Sequence, residues 1–233
     1  MAADIVPELL EAIQLEFQTS VKNNAAMIRF AELVKNGTAT YKQANDYATW
    51  CGQFLSMAYK KHITPGILPD GKMYFNIADR ILSETLKQNH ELISTAAEAI
   101  QASLNKQANI GIKAIKPKLN QDRIKGLIDK VSDADNFDVV AWVLDEPVVN
   151  FSQSIVDDTI KTNAEFHSKA GLKPTIVRVP GAGACEWCRE VAGTYTYPDV
   201  PEDVYRRHER CRCTVEYDPG DGRAQNVHTK KWR

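Results

Sequence analysis

Apolar residues recur every three to four positions along the first half of the chain, which is the period of an amphipathic α-helix. The pattern predicts a first helix over about residues 7–17 and a second over about residues 27–33, with Asn36-Gly37 as its C-terminal cap. Thr40 and Gln43 have the spacing of a capping box, in which each side chain bonds the backbone N–H of the other residue. They predict the start of a third helix.

The longest helical pattern runs from about residue 74 to residue 108 without a glycine or a proline. A continuous helix of that length extends about 50 Å, and such a helix lies along a partner or forms the edge of a bundle. It shows no strict heptad repeat, so a coiled coil is a minor alternative. Gly111 and Lys116-Pro117 mark a boundary after it. We therefore expect a helical domain over residues 1–115.

The segment that follows this boundary is harder to classify. Residues 121–131 fit a short helix. The apolar run Val139–Leu144 fits either a buried strand or part of a helix, because a short apolar run has no period that separates the two.

A later helix is predicted to begin at Asn150. That residue and Gln153 resemble a second capping box, and Gly171 is in position to end the helix. Asp157 and Asp158 lie within this helix, and their charge predicts that they occupy its solvated face.

The last third of the chain contains short runs of β-branched and aromatic residues, which are typical of strands. The three predicted strands are Thr175–Val179, Tyr195–Tyr197 and Thr214–Tyr217. The predicted fold class is therefore α+β. A helical N-terminal half with a long helix is followed by a small β-rich C-terminal module over residues 116–233, which ends in a polar tail after Pro219.

Composition restricts the classes of function. Lys and Arg number 29 and Asp and Glu number 30, so the net charge of −1 argues against a generally cationic nucleic-acid binder. No stretch approaches the length of about 18 apolar residues that a transmembrane helix needs, so no membrane segment is expected. Asp4 and Glu8 stand where a secretion signal would place positive charge, and we expect synthesis in the cytoplasm.

Four of the five cysteines crowd between residues 185 and 213, and they carry the strongest chemical signal in the chain. Cys185 and Cys188 have the Cys-x-x-Cys spacing that brings two thiolates to one ion, and His208, Cys211 and Cys213 follow after 19 residues. Thiolates and imidazole are ligands that zinc prefers. We expect a structural zinc bound by four of these five residues, because it would cross-link two loops of a module too small to be held by burial alone.

Three other interpretations of the cysteines stay open. The thiols are free and packed beside Trp187, or they form disulfides in a particle outside the cell, or they are catalytic. A redox Cys-x-x-Cys opens a helix, and the residues after Cys188 do not favour one. A catalytic zinc needs an open position and a base, for which Glu186, Glu190 and Glu209 are candidates by proximity alone. We therefore expect no enzymatic activity.

A group of arginines around His208 raises the alternative of nucleic-acid contact. Arg206, Arg207, Arg210 and Arg212, with aromatic residues nearby, fit phosphate contacts and base stacking. Residues 181–233 nonetheless contain 9 Lys and Arg against 9 Asp and Glu, so this part of the chain is neutral. A zinc-stabilised nucleic-acid-binding module is therefore the first alternative to a structural protein, and a metal- or thiol-dependent enzyme is the second.

The order of these motifs resembles the C-terminal module of phage minor head proteins, the Mu F-like or head-morphogenesis family. The matching order is Cys185-x-x-Cys188, Gly193, a short aromatic strand, His208-x-x-Cys-Arg-Cys and Pro219. Minor capsid proteins from phages of Gram-positive bacteria have segments similar to Ala164-Glu-Phe-His-Ser-Lys, Arg178-Val-Pro-Gly and Val227-His-Thr-Lys-Lys-Trp. Glu209 stands where the family usually has proline. The resemblance covers about residues 120–233.

This resemblance implies a structural role in the virion. Members of the family are low-copy components inside the head that are associated with the portal and act in head assembly, genome packaging or DNA delivery. The expected partners are a portal protein, a major capsid or scaffold protein, or both. Contact with packaged DNA through Arg206, Arg207, Arg210 and Arg212 stays an alternative that the residues themselves raise. The five Cys and His residues match the presumed metal cluster of the family, and no catalytic residue carries over. The expected location is the capsid interior or the portal vertex.

Overall fold

The computed structural model of the chain describes residues 4–208 and 210–219. Over these residues the chain forms seven α-helices and one antiparallel sheet of three strands, so the predicted α+β class is confirmed. The helices are α1 (Val6–Asn23), α2 (Ala25–Lys35), α3 (Tyr41–His62), α4 (Phe75–Gln107), α5 (Gln121–Ser132), α6 (Glu146–Lys169) and α7 (Glu186–Glu190). The strands are β1 (Thr175–Val179), β2 (Gly193–Thr196) and β3 (Thr214–Asp218), in the order β2-β1-β3.

None of the described helices is long and apolar enough to cross a membrane. The predicted polar tail lies outside the described residues.

The ends of the N-terminal helices follow the caps that the sequence predicts. Gly37 adopts a φ of +68° after α2, a conformation that costs glycine little. Before α3, the Thr40 N–H donates to Gln43 Oε1 at 2.9 Å and the Gln43 N–H donates to Thr40 Oγ1 at 3.3 Å, which is the predicted capping box. The long helix α4 is continuous over 33 residues, or about 50 Å.

The apolar run that begins at Val139 forms neither of the two predicted structures. It lies in two short 3-10 helices, Phe137–Val139 and Ala141–Leu144. The side chain of Asn136 opens the first of them by accepting a backbone N–H at 2.9 Å. Val139 and Trp142 are exposed, so the run is only partly buried.

The predicted start of the next helix at Asn150 is wrong. Helix α6 begins at Glu146, and Asn150 and Gln153 lie inside it. Pro147 occupies the first turn, where a residue without an N–H costs no helical hydrogen bond. The end of α6 is as predicted, because Gly171 follows it with a φ of +88°.

Packing divides the chain into two compact units whose segments alternate along the sequence. Unit 1 comprises the described residues up to Arg29, Tyr47–Ile93 and Lys118–Gln153, and unit 2 comprises Phe30–Asp46, Ser94–Pro117 and the described residues from Ser154 onward. Each unit takes residues from both sides of position 115, so these units do not coincide with the predicted domains 1–115 and 116–233.

All described elements of unit 1 are helical. Its core consists of fully buried apolar side chains such as Leu55 and Leu86. The hydroxyls of Tyr59 and Thr85 lie 2.5 Å apart within that core, so the buried phenol has a hydrogen-bond partner. Cys51, the cysteine outside the cluster, is also buried here.

Hydrogen bonds in unit 2 join the sheet to α4 and α6. The Tyr217 hydroxyl on β3 bonds His167 Nδ1 on α6, and Asn105 Nδ2 on α4 lies 3.5 Å from the other ring nitrogen. Gln101 Nε2 donates to Asn105 Oδ1 at 2.8 Å, and the Tyr41 hydroxyl donates to Gln101 Oε1 at 2.6 Å. A connected polar network favours one packing arrangement, because any member left unpaired in the interior costs free energy.

His167 makes the stability of unit 2 depend on pH. Burial lowers the pKa of its imidazole below the usual value of about 6.5. Below that pH the ring in the unfolded chain takes up a proton while the ring in the folded protein resists protonation. The free energy of unfolding therefore falls as the pH drops through about 6.5.

Denaturant unfolding of the full chain at a series of pH values, from neutral to mildly acidic, measures this effect. In His167→Gln the titrating group is gone, so the free energy of unfolding should fall less steeply with decreasing pH than in the unchanged chain. Equal slopes for the two proteins would contradict the role of His167.

Candidate metal centre

The structure brings all five predicted ligands together in the sheet module, by which we mean residues 175–208 and 210–219 of unit 2. They form two overlapping groups, and within each group all ligand atoms lie within 4.8 Å of one another. The outer group is Cys185, Cys188 and His208, and the inner group is Cys188, Cys211 and Cys213. Because Cys188 belongs to both groups, the five side chains form one continuous cluster.

Helix α7, which has five residues, presents the first two thiols. Cys185 is its N-cap and is exposed, whereas Cys188 is buried. The Arg189 N–H donates to the Cys185 carbonyl at 3.1 Å, which closes the turn between the two thiols. The residues after Glu190 form no helix, as predicted, and lead into β2 at Gly193, whereas the turn of the motif itself forms a helix of five residues.

The other three ligands come from the connection between a 3-10 helix (Glu202–Tyr205) and β3, and we call residues 206–208 and 210–213 the ligand loop. The Cys211 N–H donates to the His208 carbonyl at 3.2 Å. The side chains of Cys211 and Cys213 are both buried and belong to the same group.

A buried ion pair anchors the ligand loop to α6. Arg207 pairs with Asp157 through two hydrogen bonds, and the two side chains are 2% and 1% exposed. The same guanidinium donates to the Cys213 carbonyl at 3.0 Å and to Asn45 Oδ1 at 2.8 Å. The predictions that Asp157 is solvated and that Arg207 contacts DNA are wrong, because each charge is buried against the other.

A glycine allows the preceding loop to reach the cluster. A Cβ at Gly181 would lie 2.5 Å from the Arg212 carbonyl oxygen, so a larger residue would push the two backbones apart. From this position the Gly181 N–H donates to the sulfur of Cys213. The loop from Gly181 to Ala184, together with the five ligands, lines a cavity of about 140 Å³.

Two of the three distances between donor atoms are close to those of a tetrahedral zinc site. Zn–S bonds of about 2.3 Å at tetrahedral angles place two sulfurs about 3.8 Å apart, and a Zn–N bond of about 2.0 Å places the nitrogen about 3.5 Å from a sulfur. Cys188 Sγ and Cys211 Sγ are 3.8 Å apart. His208 Nε2 lies 3.3 Å from Cys185 Sγ and 2.8 Å from Cys188 Sγ. The cluster is therefore compatible with a metal site.

The inner thiols differ in how readily they ionise. Burial, together with the neighbouring sulfurs of Cys213 and Cys211, raises the pKa of Cys188 well above its usual range. Burial also opposes ionisation of Cys213, but the Gly181 N–H, the neighbouring thiols and the charge of Arg178 outweigh it and lower its pKa. Adjacent thiols do not all ionise without a cation among them, and a divalent metal supplies that charge.

Sequence reasoning missed Arg178, which is buried beside the cluster. Its Nη2 donates to Cys211 Sγ at 3.6 Å, and its Nη1 donates to the Val204 carbonyl. The guanidinium also lies 5.7 Å from the centre of the Trp187 ring. A signal for this burial was present in the sequence, because Ile176 and Arg178 alternate onto the same face of β1.

The other arginines near His208 have separate contacts. Arg206 pairs with Asp203 at 2.9 Å on the surface, and Arg212 Nη1 donates to the Cys211 carbonyl at 3.3 Å. Since Arg207 is buried, the four arginines do not present the complete set that the sequence predicts for a nucleic acid. Glu209 lies outside the described residues.

Breaking the buried ion pair should destabilise unit 2 strongly. Asp157→Asn leaves the charge of Arg207 buried without its counter-charge, and the loss of one partner of a buried pair costs about 3–5 kcal/mol. Asp203→Asn is the matched control, because its pair with Arg206 is exposed and such pairs contribute about 0–1 kcal/mol. Denaturant unfolding of both variants measures the two losses. Equal losses would mean that the Arg207 pair does not anchor the loop.

Comparisons of the chain with family models, with curated proteins and with solved structures give no match. The function is therefore inferred from the residues of the cluster and from its geometry. The similarity to phage minor head proteins stays a prediction that depends on the sequence motifs.

Proposed function

We propose that the cluster is a structural zinc site, with four of the five residues Cys185, Cys188, His208, Cys211 and Cys213 as ligands. The observation that carries this proposal is the convergence of two segments separated by 19 residues: α7 provides two thiols, and the ligand loop provides an imidazole and two thiols. The three strands of the sheet are only four or five residues long. A metal that joins the two segments stabilises a module with so small a core.

The composition of the cluster supports a structural role over a catalytic one. A catalytic zinc keeps one position open and has a general base nearby. Five thiol and imidazole donors suffice to fill four positions. Among the described residues, neither group includes an Asp or Glu oxygen. The proposal is therefore that the chain is not an enzyme.

Removal of one shared ligand tests the structural site. Cys188 belongs to both groups, so Cys188→Ser should abolish zinc binding and unfold the sheet module, because structural zinc contributes about 10–16 kcal/mol of apparent binding free energy. Cys51→Ser is the matched control, since Cys51 is a buried cysteine of unit 1 and belongs to neither group. Elemental mass spectrometry should find one zinc per chain in the control and none in Cys188→Ser.

Hydrogen exchange read by mass spectrometry locates the unfolding. In Cys188→Ser the amides of β1, β2 and β3 should exchange rapidly, while those of unit 1 stay protected. The same pattern should appear when a chelator removes zinc from the unchanged chain. Strands that stay protected in a zinc-free protein would contradict a structural role for the metal.

We further propose that the chain is a minor head protein of a phage, located in the capsid interior or at the portal vertex. The support is the order of the motifs from Cys185 to Pro219 and the flanking segments that resemble this family. A net charge of −1 suits contact with a portal, capsid or scaffold protein better than extensive contact with packaged DNA. The long helix α4 offers the length that a contact with a shell or ring protein would need.

Purified particles from the producing bacterium test this role. The chain should co-sediment with DNA-filled particles in a density gradient, in low copy number by quantitative mass spectrometry. It should also resist protease added to intact particles, because it lies inside the head. Recovery of the chain only from the unassembled fraction would contradict the proposal.

A further inference from the structure

We propose that Arg178 is the buried counter-cation of the metal centre, and that the centre consequently binds its divalent ion through three thiolates and one imidazole, with Cys211 among the thiolates. The inference rests on the proposed zinc function and concerns the composition of that same site. It assigns a positioning role to a residue outside the Cys and His cluster.

Arg178 is buried without a carboxylate partner. It is 2% exposed. Among the described residues, no Asp or Glu oxygen lies within 4.0 Å of its guanidinium, whereas the other buried arginine of the module, Arg207, is neutralised by Asp157. Burial of a charge without an opposite charge is strongly unfavourable. Arg178 therefore requires another source of negative charge.

The groups around the guanidinium identify that source. Nη1 faces the carbonyl of Val204, the guanidinium lies over the ring of Trp187, and Nη2 faces the sulfur of Cys211. Nε has no hydrogen-bond partner among the described residues. The carbonyl and the ring are neutral, so within residues 4–208 and 210–219 the sulfurs of the cluster are the source of negative charge beside Arg178.

Charge balance then selects the ligand set. A divalent ion with two thiolates and two neutral ligands has no net charge, so it offers Arg178 no counter-charge. Three thiolates and one imidazole give a net charge of −1, which the single positive charge of Arg178 neutralises. Four thiolates give −2 and leave one negative charge uncompensated in a buried place. The set of three thiolates with His208 is therefore favoured, and its Cys211 sulfur receives the hydrogen bond of Arg178.

The same argument disfavours the two interpretations without a metal. Protonated thiols are neutral, and a disulfide between Cys188 and Cys211, whose sulfurs are 3.8 Å apart, is neutral as well. Either state leaves Arg178 buried with no anion beside it. Among the described residues, a thiolate-rich metal centre or a single metal-free thiolate of the cluster gives Arg178 its counter-charge, and the metal titration below distinguishes the two.

Cobalt(II) titration of the full-length chain tests this role, because Co²⁺ enters zinc sites and its thiolate charge-transfer absorption reports the number and environment of the bound sulfurs. Arg178→Met removes the charge and keeps the length of the side chain, Arg178→Lys keeps the charge, and Arg178→Gln keeps a donor without the charge. Arg206→Met is the matched control, since Arg206 is an exposed arginine of the ligand loop. Competition with a chelator gives the Co²⁺ and Zn²⁺ affinities.

The unchanged chain and Arg206→Met should bind one Co²⁺ with the absorption of three thiolates. Arg178→Met and Arg178→Gln should bind about 10- to 100-fold more weakly with a shifted charge-transfer band, and Arg178→Lys should recover much of the loss. If Arg178→Met does not fold, the comparison of Arg178→Lys with Arg178→Gln tests the counter-cation role. Equal affinities and spectra for Lys and Gln would overturn the counter-cation role and leave the zinc site standing. An unchanged chain that binds neither Co²⁺ nor Zn²⁺ would overturn both the zinc site and this inference.

Discussion

The sheet module has three short strands and buries two arginines and three thiols beside one another. Each of these groups costs free energy to remove from water unless it is paired with an opposite charge or a hydrogen-bond partner. Asp157 of α6 meets Arg207. In our account a metal ion binds the thiols as thiolates, and the resulting anionic centre neutralises the charge of Arg178. The same charge balance fixes the conformation of the ligand loop. Arg207 lies near the start of the loop and donates a hydrogen bond to the carbonyl of Cys213 at its end.

The sheet module depends on a helix that precedes it in the chain. Within unit 2, α6 turns polar side chains inward: Asp157 holds the ligand loop and His167 bonds Tyr217 of β3. Asn163 accepts the N–H of Ile115 at 2.9 Å and donates to its carbonyl at 2.8 Å. These contacts reach the loop, the sheet and the segment after α4 from one side of a single helix. Helix α6 therefore positions the Cys and His cluster, although it contributes no residue to it.

Local signals in the sequence were sufficient for most of the secondary structure and for the membership of the Cys and His cluster. The capping box at Thr40 lies within one turn, and the Cys and His residues reveal their chemistry by type and spacing. Contacts between distant positions were not predictable in this way. Asp157 and Arg207 are 50 residues apart, and each has the charge expected of a solvated residue until the other is placed against it. Arg178 is intermediate, because strand alternation indicates its burial but not its partner.

Zinc K-edge X-ray absorption on the purified full-length chain tests the central claim most directly, because it reports the identity and the distance of the atoms bound to the metal. The account predicts one zinc per chain, surrounded by three sulfurs at about 2.3 Å and one nitrogen at about 2.0 Å. A zinc ion surrounded by oxygen and nitrogen atoms alone, or a folded sheet module that takes up no zinc, would contradict it.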